Sequence, residues 1–235
     1  MAKLRVKPAV PIRITLGIDE AGRGPSVGPM VIAAVALDSR TAATLTRAGL
    51  CDSKSYGAGE DAHAIRTALA QQIRRRALFV SLIEVPHTEI DQRVSRHELN
   101  VLERELATQL IDQAPTVHRI IADGKRMFAA LGQRYAHFES HDRAEEKHAA
   151  VAAASVIAKV LRDERFAQIR ARYETELGPI TGGGYANAAT RKWLRAYAER
   201  YGRLPDEPRL TWPHPYVEDL LGNVHPGSPQ TSLFA

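Results

Sequence analysis

The chain has 235 residues, of which 44% are hydrophobic, 25% are charged and one is a cysteine. This length suffices for one large domain or for a domain with a small appendage, and the lone Cys51 excludes an internal disulfide and a cysteine-type zinc site. A formal charge of +5 favours a polyanionic partner such as nucleic acid. We expect no membrane span, because no run of about 18 apolar residues occurs, and a cytoplasmic location as the default.

The first predicted strand ends in two adjacent carboxylates. Apolar residues alternate from Ile12 to Ile18, and Asp19 and Glu20 follow before a Gly22-Arg23-Gly24 turn. The carboxylate oxygens at this strand end can bind hard metal ions, and the glycines allow a ligand to approach the backbone closely. The alternative is a solvated acidic strand end before a glycine turn.

Strands and helices alternate along the rest of the chain. Apolar patterns predict strands over 31–37, 79–85, 117–122 and 135–138, and helices over 62–77, 97–113, 147–173 and 190–201. This mixture is typical of an α/β domain. A glycine-rich break predicts a boundary between a domain over 12–180 and a small helical region over 181–222. Segments 1–11 and 223–235 are expected to be flexible tails.

A third carboxylate, Asp123, directly follows the predicted strand over 117–122. If this strand and the first are parallel neighbours, Asp19, Glu20 and Asp123 meet at the edge where open α/β sheets bind ligands. Convergent carboxylates favour Mg²⁺ or Mn²⁺, and two such ions about 4 Å apart can clamp the attacking and leaving oxygens of a phosphodiester. The alternative is a plain turn at Asp123-Gly124.

The helix over 147–173 is rich in alanine, so it can approach a sheet or a ligand closely. Ser155, Lys159 and Arg162 share one of its faces because they are spaced by four and three residues. That face is a candidate for contact with a phosphate backbone. A packed core helix with a solvated basic stripe is the alternative.

Together these segments closely resemble the ribonuclease HII family, the type 2 ribonucleases H. The resemblance extends from residue 12 to about residue 215 and rests on Gly17–Pro25, Gly28-Pro29, Asp52-Ser53-Lys54, Asp123-Gly124, Ala153–Asp163 and Gly184-Tyr185. The C-terminal part, with Trp193-Leu194 and Thr211-Trp212, is more similar to the archaeal and eukaryotic branch than to the common bacterial one.

The resemblance implies a fold and an activity. The fold would be a ribonuclease H-like mixed sheet flanked by helices, with a small helical C-terminal appendage. The activity would be endonucleolytic hydrolysis of the RNA strand of RNA–DNA hybrids and incision 5′ of ribonucleotides embedded in duplex DNA, leaving 3′-hydroxyl and 5′-phosphate ends. It would use two divalent ions, Mg²⁺ or Mn²⁺, and a monomeric enzyme is expected.

The resemblance also implies a role for each matching residue. Asp19, Glu20 and Asp123 would be metal-binding catalytic carboxylates. Gly22, Arg23 and Gly24 would read the ribose 2′-hydroxyl, and Tyr185 would stack on the adjacent sugar. Lys54 and Ser155 would hold phosphates near the scissile bond.

The fourth carboxylate of this family is usually an aspartate, but Glu145 occupies that position here. We expect Glu145 to be the fourth metal-binding catalytic residue, with Asp142 and Glu146 as the alternatives. Because glutamate is one methylene longer, the preference between Mg²⁺ and Mn²⁺ is expected to change.

Two other functions are compatible with parts of the sequence. A carboxylate nuclease of another kind on the same fold, such as a junction resolvase, should lack the Gly-Arg-Gly turn and the Gly-Tyr pair. A nucleic-acid-binding module that has lost catalysis would explain Glu145 but not three intact carboxylates. Residues 230–234 loosely resemble a sliding-clamp ligand, with a plain flexible tail as the alternative.

Overall fold

The computed structural model describes residues 12–51, 53–57 and 60–221, with only the backbone described at 53, 54, 60 and 221. Its centre is a mixed sheet of five strands: β1 (Ile14–Ala21), β2 (Met30–Asp38), β3 (Phe79–Val85), β4 (Arg119–Asp123) and β5 (Phe138–His141). They are ordered β3-β2-β1-β4-β5. The pairs β1–β2 and β2–β3 are antiparallel, whereas β1–β4 and β4–β5 are parallel. The predicted mixed α/β sheet is therefore confirmed.

Helices cover both faces of this sheet. The described helices are α1 (Ser39–Arg47), α2 (Glu60–Arg76), α3 (His87–Val94), α4 (Leu99–Gln113), α5 (Lys125–Phe128), α6 (Ala149–Leu177), α7 (Ala188–Tyr201) and α8 (Glu218–Leu221). One apolar core joins the sheet to α3, α4 and α5, and a second joins it to α1, α2 and α6. None of these helices is both long enough and apolar enough to cross a membrane.

Several element boundaries differ from the predictions. The sequence pattern missed α1 and α3, which are short; α1 begins where the Asp38 carboxylate accepts hydrogen bonds from the Arg40 and Thr41 amides. The fifth strand begins at Phe138 and not at residue 135, because Phe138 is the residue that pairs with Ile120. Helix α6 extends to Leu177, and Gly178, with a φ of 75°, ends it.

Strand β1 is covered on both faces, although its alternation of apolar residues is typical of a half-buried strand. Leu16 and Ile18 lie in the first core, and the intervening Gly17 packs against α6. A Cβ atom at Gly17 would lie 2.1 Å from the backbone carbon of Ala150. This close approach explains the small residues of α6 and brings its N-terminal half against the strand that carries Asp19 and Glu20.

The C-terminal region returns to the loop between β1 and β2. Pro208 forms an isolated antiparallel bridge with Val27. The Gly28 amide donates to the Glu207 carbonyl oxygen at 3.0 Å, and the Arg209 amide donates to the Ser26 carbonyl oxygen at 2.8 Å. The loop that carries the Gly22-Arg23-Gly24 turn is thus packed against residues about 180 positions later in the chain.

Candidate active site

The predicted convergence of carboxylates depends on the pairing of β1 with β4, and these strands are parallel neighbours. Ile18 pairs with Ala122, so Asp19 and Asp123 follow at the same level on adjacent strands. Asp123 accepts a hydrogen bond of 2.7 Å from the Ala144 amide, which ties the turn that carries Glu145 to the same sheet edge. Asp19, Glu20, Asp123 and Glu145 are therefore gathered at one site.

Burial and mutual repulsion raise the pKa values of Asp19 and Glu20. The pKa of Asp19 lies well above its ordinary value because of burial and the neighbouring charges of Glu20 and Asp123, although a hydrogen bond from Ser155 opposes the shift. Burial raises the pKa of Glu20 to about 7, with Asp123 and Glu145 adding to the shift and Arg23 opposing it. Such a cluster of acids is costly unless cations neutralise it.

Glu145 is the alternative that the structure places at this cluster. Its side chain is buried, and its charge contributes to the raised pKa of Glu20. By contrast, the exposed Asp142 accepts a hydrogen bond of 2.8 Å from the Lys125 amide, and Glu146 forms an ion pair with Arg143. Glu145 therefore remains our prediction for the fourth carboxylate.

The donor set fits hard divalent cations. Glu20 Oε2 is a buried carboxylate oxygen that accepts no hydrogen bond from the residues described. Within those same ranges, no three acidic, imidazole or thiol groups form a ready-made cage for a metal ion. Carboxylate oxygens are the ligands that hard cations such as Mg²⁺ and Mn²⁺ prefer, and Mg²⁺ sites typically use one or two carboxylates and complete the shell with water and substrate phosphates.

Arg23 is held in place by helix α4. Its Nε donates to Glu103 Oε1 at 3.0 Å, and its terminal nitrogen donates to Asn100 Oδ1 at 2.7 Å. Glu103 is fully buried. Burial and the Glu20 charge raise its pKa to about 8, despite the opposing effect of Arg23. Glu103 therefore fixes the central side chain of the Gly22-Arg23-Gly24 turn close to the carboxylates.

Tyr185 stands beside the same turn. The Gly184 carbonyl oxygen accepts from the Ser26 and Val27 amides at 2.8 and 3.1 Å, which fixes the position of the tyrosine's neighbour. A Cβ atom at Gly24 would lie 3.8 Å from the Tyr185 ring, and 48% of the tyrosine surface is exposed. The turn and an accessible aromatic ring thus lie side by side, and the sugar contact that the resemblance implies for Tyr185 stays a prediction.

The predicted phosphate contacts have different environments. Ser155 is buried and its hydroxyl binds Asp19, so its contact with a phosphate stays a prediction. The side chain of Lys54 lies outside the described residues. Lys159 pairs with Asp163, and Arg162 is buried with its guanidinium over the Phe166 ring. The hypothesis of one basic face over Ser155, Lys159 and Arg162 is therefore wrong for Arg162, which belongs to the core.

The sequence patterns did not indicate two residues that hold the turn at this site, Glu103 and Arg209. Glu103 lies four residues after Leu99 and three before Leu106, on the apolar face of α4, and a glutamate on such a face was a usable signal. Arg209 lies in a proline-rich stretch, where nothing local distinguishes it from a solvated arginine. Its guanidinium is nevertheless buried and donates to carbonyl oxygens of the Gly22-Arg23-Gly24 turn.

We expect the Glu103→Gln variant to become more stable relative to the unsubstituted protein as the pH rises from 5 to 9 in the absence of metal. The folded chain keeps a proton on Glu103 up to a pKa of about 8, whereas the unfolded chain loses it near the ordinary value of 4.5. The folded state therefore binds more protons in this interval, and the Glu103 contribution to stability, present at low pH, is lost as the pH rises.

Thermal unfolding of both proteins in EDTA, followed by circular dichroism at each pH, measures this difference. Glu105→Gln, at an exposed position of the same helix, controls for the substitution itself. If the Glu103→Gln variant instead becomes less stable relative to the unsubstituted protein as the pH rises, the ionised pair of Glu103 with Arg23 stabilises the fold.

Comparison with known proteins agrees with this geometry. A sequence profile described as Ribonuclease HII matches residues 16–214. The ribonuclease HII of Pyrococcus furiosus is 33% identical over 205 residues, covering 83% of this chain and 87% of that protein. The ribonuclease HII of Pyrobaculum arsenaticum is 36% identical over 202 residues, covering 83% of this chain and 93% of that protein. These archaeal relatives confirm the resemblance to the archaeal branch.

Solved structures show the same fold. The crystal structure of ribonuclease H2 from Pyrococcus horikoshii superimposes with a TM-score of 0.73 and 27% identity, covering 90% of this chain and 98% of that one. The ribonuclease HII in a complex with PCNA from Archaeoglobus fulgidus superimposes with a TM-score of 0.69 and 27% identity, covering 85% of this chain and 95% of that one. The chain therefore belongs to the ribonuclease HII family, whose members are hydrolases that cleave the RNA of RNA–DNA hybrids endonucleolytically.

Proposed function

We propose that this protein also incises duplex DNA on the 5′ side of a single embedded ribonucleotide and leaves 3′-hydroxyl and 5′-phosphate ends. The observation that carries the proposal is the position of the exposed Tyr185 ring beside Gly24 of the Gly22-Arg23-Gly24 turn, whose Arg23 lies close enough to Glu20 to lower its pKa. A lone ribonucleotide differs from its neighbours by one 2′-hydroxyl, which both donates and accepts hydrogen bonds. A glycine turn allows the close backbone approach needed to read that group.

The chain's own residues divide the work of recognition and chemistry. Tyr185 packs on the sugar and tests its fit, while the turn offers backbone groups to the 2′-hydroxyl. Lys54 and Ser155 orient the phosphates near the scissile bond, where a lysine suits a phosphate as a point charge. Arg23, held by Glu103, supplies positive charge beside Glu20 and limits how the nucleic-acid strand can approach the carboxylates.

Asp19, Glu20, Asp123 and Glu145 would hold two divalent ions, Mg²⁺ or Mn²⁺. Bound there, such ions supply an activated water and stabilise the charge on the attacking and leaving oxygens. The support from the structure is the buried Glu20 Oε2 and the raised pKa values of Asp19 and Glu20, because cations would relieve both.

A sliding clamp is the protein partner that we propose. The support is the loose match of residues 230–234 to clamp ligands, a segment that lies outside the described residues, and the similarity to the A. fulgidus protein solved with PCNA.

The direct test is cleavage of an end-labelled DNA duplex that carries one ribonucleotide, with Mg²⁺, with Mn²⁺ and with chelator. We expect a single metal-dependent cut 5′ of the ribonucleotide and none in the all-DNA duplex. Cleavage of long hybrids without this cut would contradict the proposal. Binding to both duplexes without cleavage under either metal would favour a module that has lost catalysis.

Tyr185→Ala should lower the rate of incision at a single ribonucleotide by about tenfold or more, because removing an aromatic stacking partner costs roughly 1–3 kcal/mol. The same assay under single-turnover conditions measures this loss. Tyr201→Ala removes another exposed tyrosine of the C-terminal region, one that contacts Glu176 and Tyr197, and is the matched control. Equal losses in the two variants would exclude a specific role for Tyr185.

A further inference from the structure

Arg209 connects the C-terminal region to the Gly22-Arg23-Gly24 turn. Its side chain is fully buried, and its guanidinium donates hydrogen bonds to three main-chain carbonyl oxygens. One terminal nitrogen donates to the Arg23 oxygen at 2.8 Å, and the other donates to the oxygens of Gly22 and of Gly28, the latter at 2.9 Å. Nε adds a bond of 3.0 Å to the Gly28 oxygen. One side chain therefore fixes both the turn and the loop that follows it.

These bonds determine which way the turn's amides point. In a trans peptide unit, the carbonyl of one residue and the N–H of the next point in opposite directions. Because the Gly22 and Arg23 carbonyls face Arg209, the N–H groups of Arg23 and Gly24 point away from it. Within the described parts of the chain, neither N–H donates to another residue. The turn thus keeps two adjacent donors for a ligand, and the Tyr185 ring lies beside Gly24.

Arg209 is itself held from several directions. Its guanidinium lies 4.9 Å from the centre of the Trp212 ring. The Leu210 and Thr211 amides donate to the Asp91 carboxylate at 2.8 and 3.0 Å, and the Arg209 amide donates to the Ser26 oxygen. The guanidinium is therefore also held by contacts other than those with the turn carbonyls.

We infer that Arg209 is a positioning residue for ribose recognition: it holds the Gly22-Arg23-Gly24 turn with the Arg23 and Gly24 amides directed at the 2′-hydroxyl. The inference rests on the proposed function, since it specifies how the ribonucleotide is distinguished. It differs from a general structural role in what it predicts, because loss of Arg209 removes the preference for ribose but leaves binding to the phosphate backbone.

The experiment compares binding to two duplexes that differ by one 2′-hydroxyl. Fluorescence anisotropy in EDTA gives the dissociation constants for the ribonucleotide duplex and for the all-DNA duplex. We expect Arg209→Ala to lower the affinity for the ribonucleotide duplex relative to the all-DNA duplex by about tenfold. Without the guanidinium, the buried carbonyls are unsatisfied, which disfavours the turn conformation that directs the Arg23 and Gly24 amides at the 2′-hydroxyl. The affinity for the all-DNA duplex should stay within about twofold, because the phosphate contacts remain.

Two further measurements keep the inference testable if the alanine variant folds poorly. Arg209→Lys retains the charge but cannot span three carbonyls, so it should also lose the ribose preference. Added guanidinium at millimolar concentration should restore the preference of Arg209→Ala. Arg195→Ala is the control, because Arg195 also donates to a C-terminal carbonyl, that of Tyr216 at 2.8 Å, but does not touch the turn.

Amide hydrogen exchange separates this inference from the proposed function. Without nucleic acid, faster exchange or shifted resonances at Arg23 and Gly24 in the Arg209→Lys variant would show that Arg209 organises the turn, whatever the substrate. If the unsubstituted protein itself shows no ribose preference, the proposed function fails. A folded Arg209→Lys variant with unchanged turn resonances and unchanged ribose preference would overturn the role of Arg209.

Discussion

Replacing Asp19 by asparagine should lower the cleavage rate at least about 1,000-fold, because metal-assisted charge stabilisation is worth several kcal/mol. The same change should stabilise the metal-free protein. Burial and the charges of Glu20 and Asp123 raise the pKa of Asp19, so its ionised form is disfavoured in the fold. Asparagine removes that charge but keeps an oxygen for the Glu20 amide, which donates to Asp19 Oδ1 at 2.8 Å.

Single-turnover cleavage of a labelled hybrid and thermal unfolding in EDTA at pH 8 measure the two effects together. Asp142→Asn is the matched control, because Asp142 lies nearby but its carboxylate caps the Lys125 amide. It should change neither quantity appreciably. A less stable Asp19→Asn protein would show that the hydrogen bonds of the carboxylate outweigh its repulsion by Glu20 and Asp123.

Replacing Glu145 by glutamine should lower the cleavage rate at least about 100-fold, whereas Glu145→Asp should retain activity and raise the Mg²⁺ rate relative to the Mn²⁺ rate. Glutamine removes a negative charge from the buried cluster that raises the pKa of Glu20. Aspartate, the residue that the resemblance to the family leads us to expect at this position, places the carboxylate one methylene closer to the backbone. Mg²⁺ should respond more strongly than Mn²⁺, because it demands near-ideal octahedral geometry.

Cleavage rates over a range of Mg²⁺ and Mn²⁺ concentrations give both the maximal rate and the apparent affinity for each ion. Glu146→Gln is the control next in sequence, since Glu146 pairs with Arg143. If Glu146→Gln or Asp142→Asn loses as much activity as Glu145→Gln, the fourth carboxylate has been misassigned. A Glu145→Asp protein with an unchanged ratio of metal rates would show that the metal preference does not depend on the length of this side chain.

The sequence alone determined the components that short-range patterns carry. Apolar periodicity predicted strands β1 to β4 and the long helices, because burial on a sheet or helix face repeats at a fixed spacing. The short strand predicted over 135–138 overlaps β5 only at Phe138. The acidic strand ends at Asp19-Glu20 and Asp123, the Gly22-Arg23-Gly24 turn and Tyr185 were also found from the sequence. Their motifs lie within a few residues and matched a known family.

Only the tertiary structure decided how these components are held. Glu103 and Arg209 contact the turn from 80 and more than 180 residues away, so no local pattern could relate them to it. The same holds for Arg162, whose spacing with Ser155 and Lys159 predicted a shared face but whose burial depends on Phe166 and the loop at Val27. Spacing fixes which residues share a helix face, but the neighbouring elements that cover that face determine whether a charge meets solvent, substrate or the protein interior.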